Sequence, residues 1–199
     1  AIDENDEFLT KNKELIQKRL HVNDKIIIAS KEYNGNPYGI WGLLLKKAIE
    51  DDNEYFYQCG SDIKHITKNW EDYFIRVLKK ADNIGLTGGI DKSFWLERVL
   101  RKQNGILENV FFHKSHYEIF ETFMNPKFKT WYGDDYISQL YREIERTFIC
   151  PNFLYVNSNR VGGHNECNRY EPSTEMESIW KLEAKKESKK ITEYIKLKK

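Results

Sequence analysis

Several features that would assign this chain of 199 residues to a class at once are missing from it. No apolar run is long enough to span a membrane, and no signal peptide is visible. The formal net charge is only +1, so most of the chain carries no basic footprint for nucleic acid. The three cysteines are odd in number and far apart, which argues against a disulfide framework or a zinc CxxC pair. We therefore expect a cytoplasmic protein with no membrane span and no nucleic-acid partner.

Common catalytic motifs are missing as well. The chain has no phosphate-binding GxxxxGK[ST] sequence, and its glycines at 85–89 do not match the dinucleotide-binding fingerprint. It also has no serine nucleophile elbow. What is present is a composition of 40% hydrophobic and 14% aromatic residues, which is typical of a globular fold with a sizeable core.

Short apolar runs alternate with amphipathic segments, which favours an α/β fold with a mostly parallel central sheet. Glycines 88–89 are expected to turn the chain after a strand, and a composition shift near Pro172 divides residues 1–172 from a charged, helical tail at 173–199. The predicted strands are 25–30, 55–59, 84–89, 106–112 and 153–156, and the predicted helices are 4–20, 40–49, 69–80, 117–123 and one from about 131 to 146.

The aromatic run Tyr55–Gln58 is the best candidate for a strand that leads to a functional site. It is followed by Gly60 and then by a single carboxylate, Asp62. Ligands of α/β sheets sit outside the carboxyl ends of the strands, so Asp62 is a candidate for holding a metal ion or a phosphate-bearing ligand. The alternative interpretation is a residue that only forms the turn.

A second candidate is the acidic pair Asp134 and Asp135 at a predicted helix start. One of these carboxylates could act as a general base or bind a substrate hydroxyl. Alternatively, both only stabilise the positive end of the helix dipole. Trp131 and Tyr132 directly before them favour the functional interpretation, because aromatic rings stack on sugars and bases.

A third candidate is His164, which follows Gly162 and Gly163 in a polar loop. It is either a ligand or a solvent-exposed side chain. Arg160 and Arg169 nearby could bind a diphosphate in a bidentate manner, or they could form surface ion pairs.

Taken in order, these segments resemble the nucleotide-sugar glycosyltransferases of the GT-A fold, especially a type found in large DNA viruses and algae. The resemblance implies a three-layer α/β/α sandwich with a mostly parallel central sheet. It also implies that the family's first strand is missing, since the chain begins where the second strand of the family ends. The matching pieces are 41–48, 55–63, Thr67, Trp70, 85–88, 116–123, 125–141, His164 and 169–171.

The resemblance also implies roles for individual residues. Asp62 takes the place of the family's acidic motif, which binds a divalent metal, manganese or magnesium, that bridges the diphosphate of the donor. His164 would complete the metal shell, and Asp134 and Asp135 would contact the acceptor and supply the base, with Asp135 as the expected base. Gly88 and Gly89 would lie beside the donor sugar. Asp3 and Asp6 would lie near the nucleotide.

These roles together predict a metal-assisted transfer of a sugar from a UDP- or GDP-linked donor to a hydroxyl of a glycan or protein acceptor. The resemblance includes viral enzymes, for which the cytoplasm would be that of the host. The family usually carries two acids in its metal motif, and Ser61 stands at the first. That departure and the missing first strand favour an alternative, a non-catalytic carbohydrate- or nucleotide-binding module on the same fold. A metal-dependent nuclease is a further alternative. Its site needs carboxylates and a lysine at one edge of the sheet, and residues 62–64 match that pattern only weakly.

Overall fold

The structure, a computed structural model, describes residues 1–60, 62–92, 106–157 and 174–198. Within these ranges the chain forms a mixed sheet of five strands, a separate pair of parallel strands, and helices that cover both faces of the larger sheet.

The N-terminal segment forms the small parallel pair. Strand β1 (Ile2–Asp3) lies beside β2 (Ile28–Ala29), and α1 (Glu7–Lys11) and α2 (Lys13–Gln17) lie between them in sequence. The single helix predicted over 4–20 is therefore wrong. It is interrupted at Asn12, whose side-chain Nδ2 donates to the carbonyl of Phe8 at 2.8 Å and ends the first helix. The apolar side chains of these helices, such as Phe8 with 72% exposure, do not reach a core.

The five-stranded sheet has the order β3–β6–β5–β7–β4. Only β5 and β7 are parallel, and the other three pairings are antiparallel. The mostly parallel sheet predicted from the sequence is not confirmed, because a helix between two strands permits a crossover without requiring one. The strands are β3 (Tyr55–Gln58), β4 (Ile63–His65), β5 (Leu86–Asp91), β6 (Val110–His113) and β7 (Thr147–Asn157).

Gly88 and Gly89 lie inside strand β5, so the predicted glycine turn is wrong. Both residues are buried between neighbouring strands. A Cβ atom at Gly89 would lie 2.1 Å from the carbonyl oxygen of Phe153, and one at Gly88 would lie 2.7 Å from the carbonyl oxygen of Asn109. These glycines permit a close approach of backbones.

Strand β7 begins earlier than predicted and is irregular in its middle. Its pairing with β5 jumps from Ile149 to Leu154 while β5 advances only from Gly88 to Ile90. Pro151 lies in this irregular part, where its missing N–H costs no ladder hydrogen bond. The predicted strand at 153–156 is therefore only its second half, and β4 was not predicted at all.

The two faces of the sheet carry different helices. The first face packs Phe56, Leu86 and Phe112 under α3 (Pro37–Glu50), α6 (Gly133–Arg142) and α7 (Thr174–Leu197). The second face packs Phe111 and Cys150 under α4 (Trp70–Lys79), and the short α5 (Ser115–Phe120) follows β6.

Helix α7 belongs to the main core, where Ala184 and Ile191 are fully buried. It is joined to the segment before α6 by an ion pair of 2.7 Å between Lys127 and Glu183. The predicted boundary near Pro172 falls outside the described residues and stays a prediction. No described helix has both the length and the apolar character needed to cross a membrane.

Candidate functional site

A small cavity of about 70 Å³ lies at the end of β3, beside the starts of α3 and α6. Its polar lining consists of Tyr38, Gln58, Glu108 and Asp134. Gln58 is the last residue of the aromatic strand, and Asp134 is in the first turn of α6. The fold thus brings the end of the aromatic strand and the acidic helix start to one place, whereas Asp62, the first sequence candidate, does not line the cavity.

The start of α6 is fixed by Tyr38 of α3. The backbone N–H of Gly133 donates to the Tyr38 hydroxyl at 3.2 Å. A Cβ atom at position 133 would lie 2.3 Å from the Tyr38 ring, so only glycine permits this packing. Tyr132, directly before it, has a left-handed backbone with φ of 64°. This geometry sets the side chain of Asp134 against the cavity.

Asp134 is the most strongly perturbed carboxyl group of the cavity. Burial raises its pKa to about 6, and the negative charges of Asp135 and Glu108 act in the same direction. The backbone N–H groups of Asp134 and Asp135 oppose this rise by hydrogen bonding to the carboxylate. Asp134 therefore interacts with the helix start, as the capping interpretation expects. At the same time its pKa lies near neutrality, which suits a general base.

Asp135 has a milder environment. Burial raises its pKa, while a backbone hydrogen bond and the positive charges of Arg142 and Lys181 lower it. It does not line the cavity. Of the two predicted acids, Asp134 is thus the one that faces the enclosed space.

Glu108 is a site residue that no sequence pattern indicated. It lies in the loop before β6, where the hydroxyl of Tyr155 donates to its Oε2 at 3.4 Å. The neighbouring Leu107 is anchored by its backbone N–H, which donates to Ser138 Oγ of α6 at 2.9 Å. No motif marks this position, and the predicted strand at 106–112 concealed the loop that carries it.

Asp62 lies in the turn between β3 and β4 and is half-buried. Three residues lie between it and Gln58, so the two α-carbons are at most about 14 Å apart. Partial burial and, second, the negative charge of Asp62 raise the pKa of the Cys59 thiol, so these two side chains lie near each other. Asp62 is not one of the residues that line the cavity.

Among the described residues, no three His, Cys, Asp or Glu side chains come together as a set that could hold a metal ion. A lone carboxylate fits magnesium or manganese only when substrate phosphate oxygens complete the coordination, which is the usual arrangement for magnesium. Asp62 could contribute one carboxylate ligand to a site of that kind. His164, Arg160 and Arg169 lie outside the described residues, so their roles stay predictions.

The remaining predicted residues lie in different places. Trp131 and Tyr132 are half-buried at the approach to α6, next to the acidic pair. Asp6 caps α1, with its Oδ1 accepting the backbone N–H of Leu9 at 2.8 Å, and Asp3 is exposed at the end of β1. Neither Asp3 nor Asp6 lines the cavity.

A larger groove of about 350 Å³ runs along β3 and α3 and shares Trp41, Gln58 and Phe123 with the small cavity. Its volume falls in the range of small-molecule sites. Its walls combine apolar side chains, such as Leu44, Leu45 and Phe56, with polar groups of Asn53, Tyr55, Tyr57, Gln58 and Cys59.

Comparison with known proteins finds no matching family model, no similar curated protein and no similar solved structure.

Proposed function

We propose that the chain is a glycosyltransferase of GT-A type, which moves a sugar from a nucleoside-diphosphate donor to an acceptor hydroxyl. The observation that carries this proposal is the Asp134 carboxyl, which is largely removed from water and whose pKa is raised to about 6 beside a cavity at the end of strand β3. The sequence resemblance adds the roles of the other residues. The mixed sheet with helices on both faces is compatible with the proposal but does not single it out.

In this proposal Asp134 is the general base. An acceptor hydroxyl is a poor nucleophile, and a carboxylate with a pKa near the working pH removes its proton most effectively. Glu108 and Asp135 keep that pKa high by their negative charges. Trp131 and Tyr132, beside the acidic pair, would stack on a sugar ring of the acceptor.

Asp62, together with His164, would hold the divalent cation, and Arg160 and Arg169 would bind the diphosphate. Such a cation supplies Lewis-acid stabilisation of the charge that develops on the leaving diphosphate. The arginines stabilise the same charge through bidentate hydrogen bonds. The groove beside β3 would receive the nucleoside part of the donor.

The first test is thermal unfolding with manganese and a panel of UDP- and GDP-sugars. A donor at a hundred times its dissociation constant should stabilise the protein by about 2.7 kcal/mol, which is a readily measured rise in Tm. We expect this rise for at least one donor, and we expect Asp62→Ala to remove it. No rise with any donor would overturn the proposal.

The second test is turnover of the donor that stabilises the protein. Asp134→Asn should lower turnover by roughly 10²- to 10⁴-fold, because a general base contributes about that much. The same variant should keep the donor-dependent rise in Tm. Asp72→Asn is the matched control, since Asp72 also lies in the first turn of a helix, α4, but is exposed. Equal turnover in wild type and Asp134→Asn would rule out Asp134 as the base.

A non-catalytic binding module is the second candidate function. It is favoured by the absence, among the described residues, of three clustered metal ligands. It predicts a donor-dependent rise in Tm that needs no manganese, survives Asp62→Ala and is accompanied by no turnover.

A further inference from the structure

The order of the sheet poses a geometric problem at the turn that carries Asp62. Strands β3 and β4 follow each other in the chain, yet they lie at opposite edges of the five-stranded sheet. In a flat sheet these edges would be about 19 Å apart, which is four strand spacings. The chain from Gln58 to Ile63 spans at most about 18 Å when fully extended. The sheet must therefore curl until its two edges approach each other.

Three aromatic side chains make contact where the edges meet. The rings of Tyr57 on β3 and His65 on β4 have centroids 5.2 Å apart. Trp70, the first residue of α4, contacts both of them, at 4.8 Å from Tyr57 and 4.3 Å from His65. His65 and Trp70 are stacked with an interplanar angle of 17°. We name Tyr57, His65 and Trp70 the aromatic latch.

The latch is anchored to the rest of the sheet on both sides. Thr67 Oγ1 accepts the backbone N–H of Leu154 at 3.0 Å and donates to the carbonyl of Asn152 at 3.2 Å. These bonds fix the chain between β4 and α4 on strand β7. Trp70 also packs on Phe74 at 5.5 Å and edge-on against Phe111 at 6.1 Å. Trp70 is thus a fixed surface against which the two edge strands close.

We infer that the aromatic latch positions Asp62 by holding together the two edge strands, β3 and β4, between which Asp62 lies in the sequence. The inference deepens the proposed function, since it assigns positioning residues to the proposed metal ligand. The strand pairings at both edges are short: β3 pairs with β6 over four residues, and β4 pairs with β7 over three. Loss of the latch would let the edges separate and move the carboxylate of Asp62, while the rest of the fold stays in place.

The experiment compares three variants with the wild type and with Asp62→Ala. His65→Ala removes the ring that joins β4 to Trp70, and His65→Phe keeps an aromatic ring there. Tyr73→Ala is the matched control: Tyr73 also lies on α4 and contacts a ring of β7, Phe153, at 4.5 Å, but it does not belong to the latch. Hydrogen exchange of a peptide covering the turn reports on the edges without any metal. Titration with manganese in the presence of UDP reports on Asp62.

We expect His65→Ala to speed exchange in the turn by about fivefold, the value for losing about 1 kcal/mol of aromatic interaction. It should also weaken manganese binding about 10- to 100-fold, as is usual for the loss of a residue that orients a metal ligand. His65→Phe should restore both properties, and Tyr73→Ala should change neither by more than about twofold.

Two results would overturn the inference. One is unchanged exchange in His65→Ala. The other is unchanged manganese affinity in His65→Ala when Asp62→Ala does weaken it, since Asp62 would then bind metal without help from the latch. If the wild type binds no manganese with UDP, the proposed function fails at its metal site. In that case, faster hydrogen exchange in His65→Ala, together with wild-type exchange in His65→Phe, would still show that the latch stabilises the turn.

Discussion

Replacing Asp134 by asparagine should make the folded protein more stable at neutral pH. Burial raises the pKa of this carboxyl from its ordinary value of 3.8 to about 6. Below pH 3.8 the group is protonated in both folded and unfolded states and has no effect. As the pH rises toward 6 the unfolded state loses the proton first, so unfolding becomes more favourable. Above pH 6 the loss of stability caused by ionising this carboxyl is complete.

The size of the cost follows from the pKa difference. Each pH unit of difference corresponds to about 1.36 kcal/mol, so the ionised Asp134 lowers the free energy of unfolding by up to about 3 kcal/mol at pH 7. Asparagine has a similar shape, carries no charge beside Glu108 and remains a good residue near a helix start. The cost should therefore disappear in Asp134→Asn. Functional sites often keep residues that are unfavourable for stability, so their replacement commonly stabilises a protein.

Urea unfolding at several values between pH 4 and pH 7 measures this prediction. The difference in unfolding free energy between Asp134→Asn and wild type should be near zero at pH 4 and grow to its full value by pH 7. Asp72→Asn is the control, because loss of an exposed negative charge from the first turn of α4 should instead destabilise by about 0.3–1 kcal/mol. A pH-independent difference, or an Asp134→Asn protein no more stable than wild type at pH 7, would refute the electrostatic account of the cavity.

Two further predictions concern the core. His116 bonds to the Tyr141 hydroxyl at 2.8 Å and the Phe123 carbonyl at 3.0 Å, and burial lowers its pKa to about 4. Wild type should lose up to about 3 kcal/mol of stability as the pH falls from about 6.5 to about 4, and the difference from His116→Phe in urea unfolding should show this loss. If both proteins respond alike to acid, His116 is not the group that titrates. Gly89→Ala should cost about 1–3 kcal/mol by overpacking against Phe153, whereas Gly42→Ala, with only ordinary contact at 3.7 Å, should be neutral or stabilising. Equal urea midpoints for these two variants would contradict the close approach at β5.

Local patterns were sufficient for several elements. The aromatic run at 55–58 is strand β3, and the amphipathic stretches predicted at 40–49 and 69–80 are observed as α3 (Pro37–Glu50) and α4 (Trp70–Lys79). The position of Asp134 and Asp135 in the first turn of a helix was also correctly predicted. These features depend on residues that are neighbours in the chain.

The predictions failed where the outcome depends on distant residues. Gly88 and Gly89 looked like a turn because glycine favours turns, but their neighbours in space require glycine inside a strand. The alternation of strands and helices could not fix strand direction. It also could not reveal that β4, directly after β3, pairs at the opposite edge of the sheet.

The sequence by itself determined the helix start with two acids, the aromatic strand, and the carboxylate Asp62 that follows it. Only the tertiary structure decided that Glu108 lies beside Asp134, that Asp134 and not Asp135 lines the cavity, and that the sheet curls until Tyr57 and His65 touch. The reason is physical. Periodicity and helix starts are local properties of the chain, whereas a pKa depends on burial and neighbouring charge, and strand order depends on which apolar surfaces pack together.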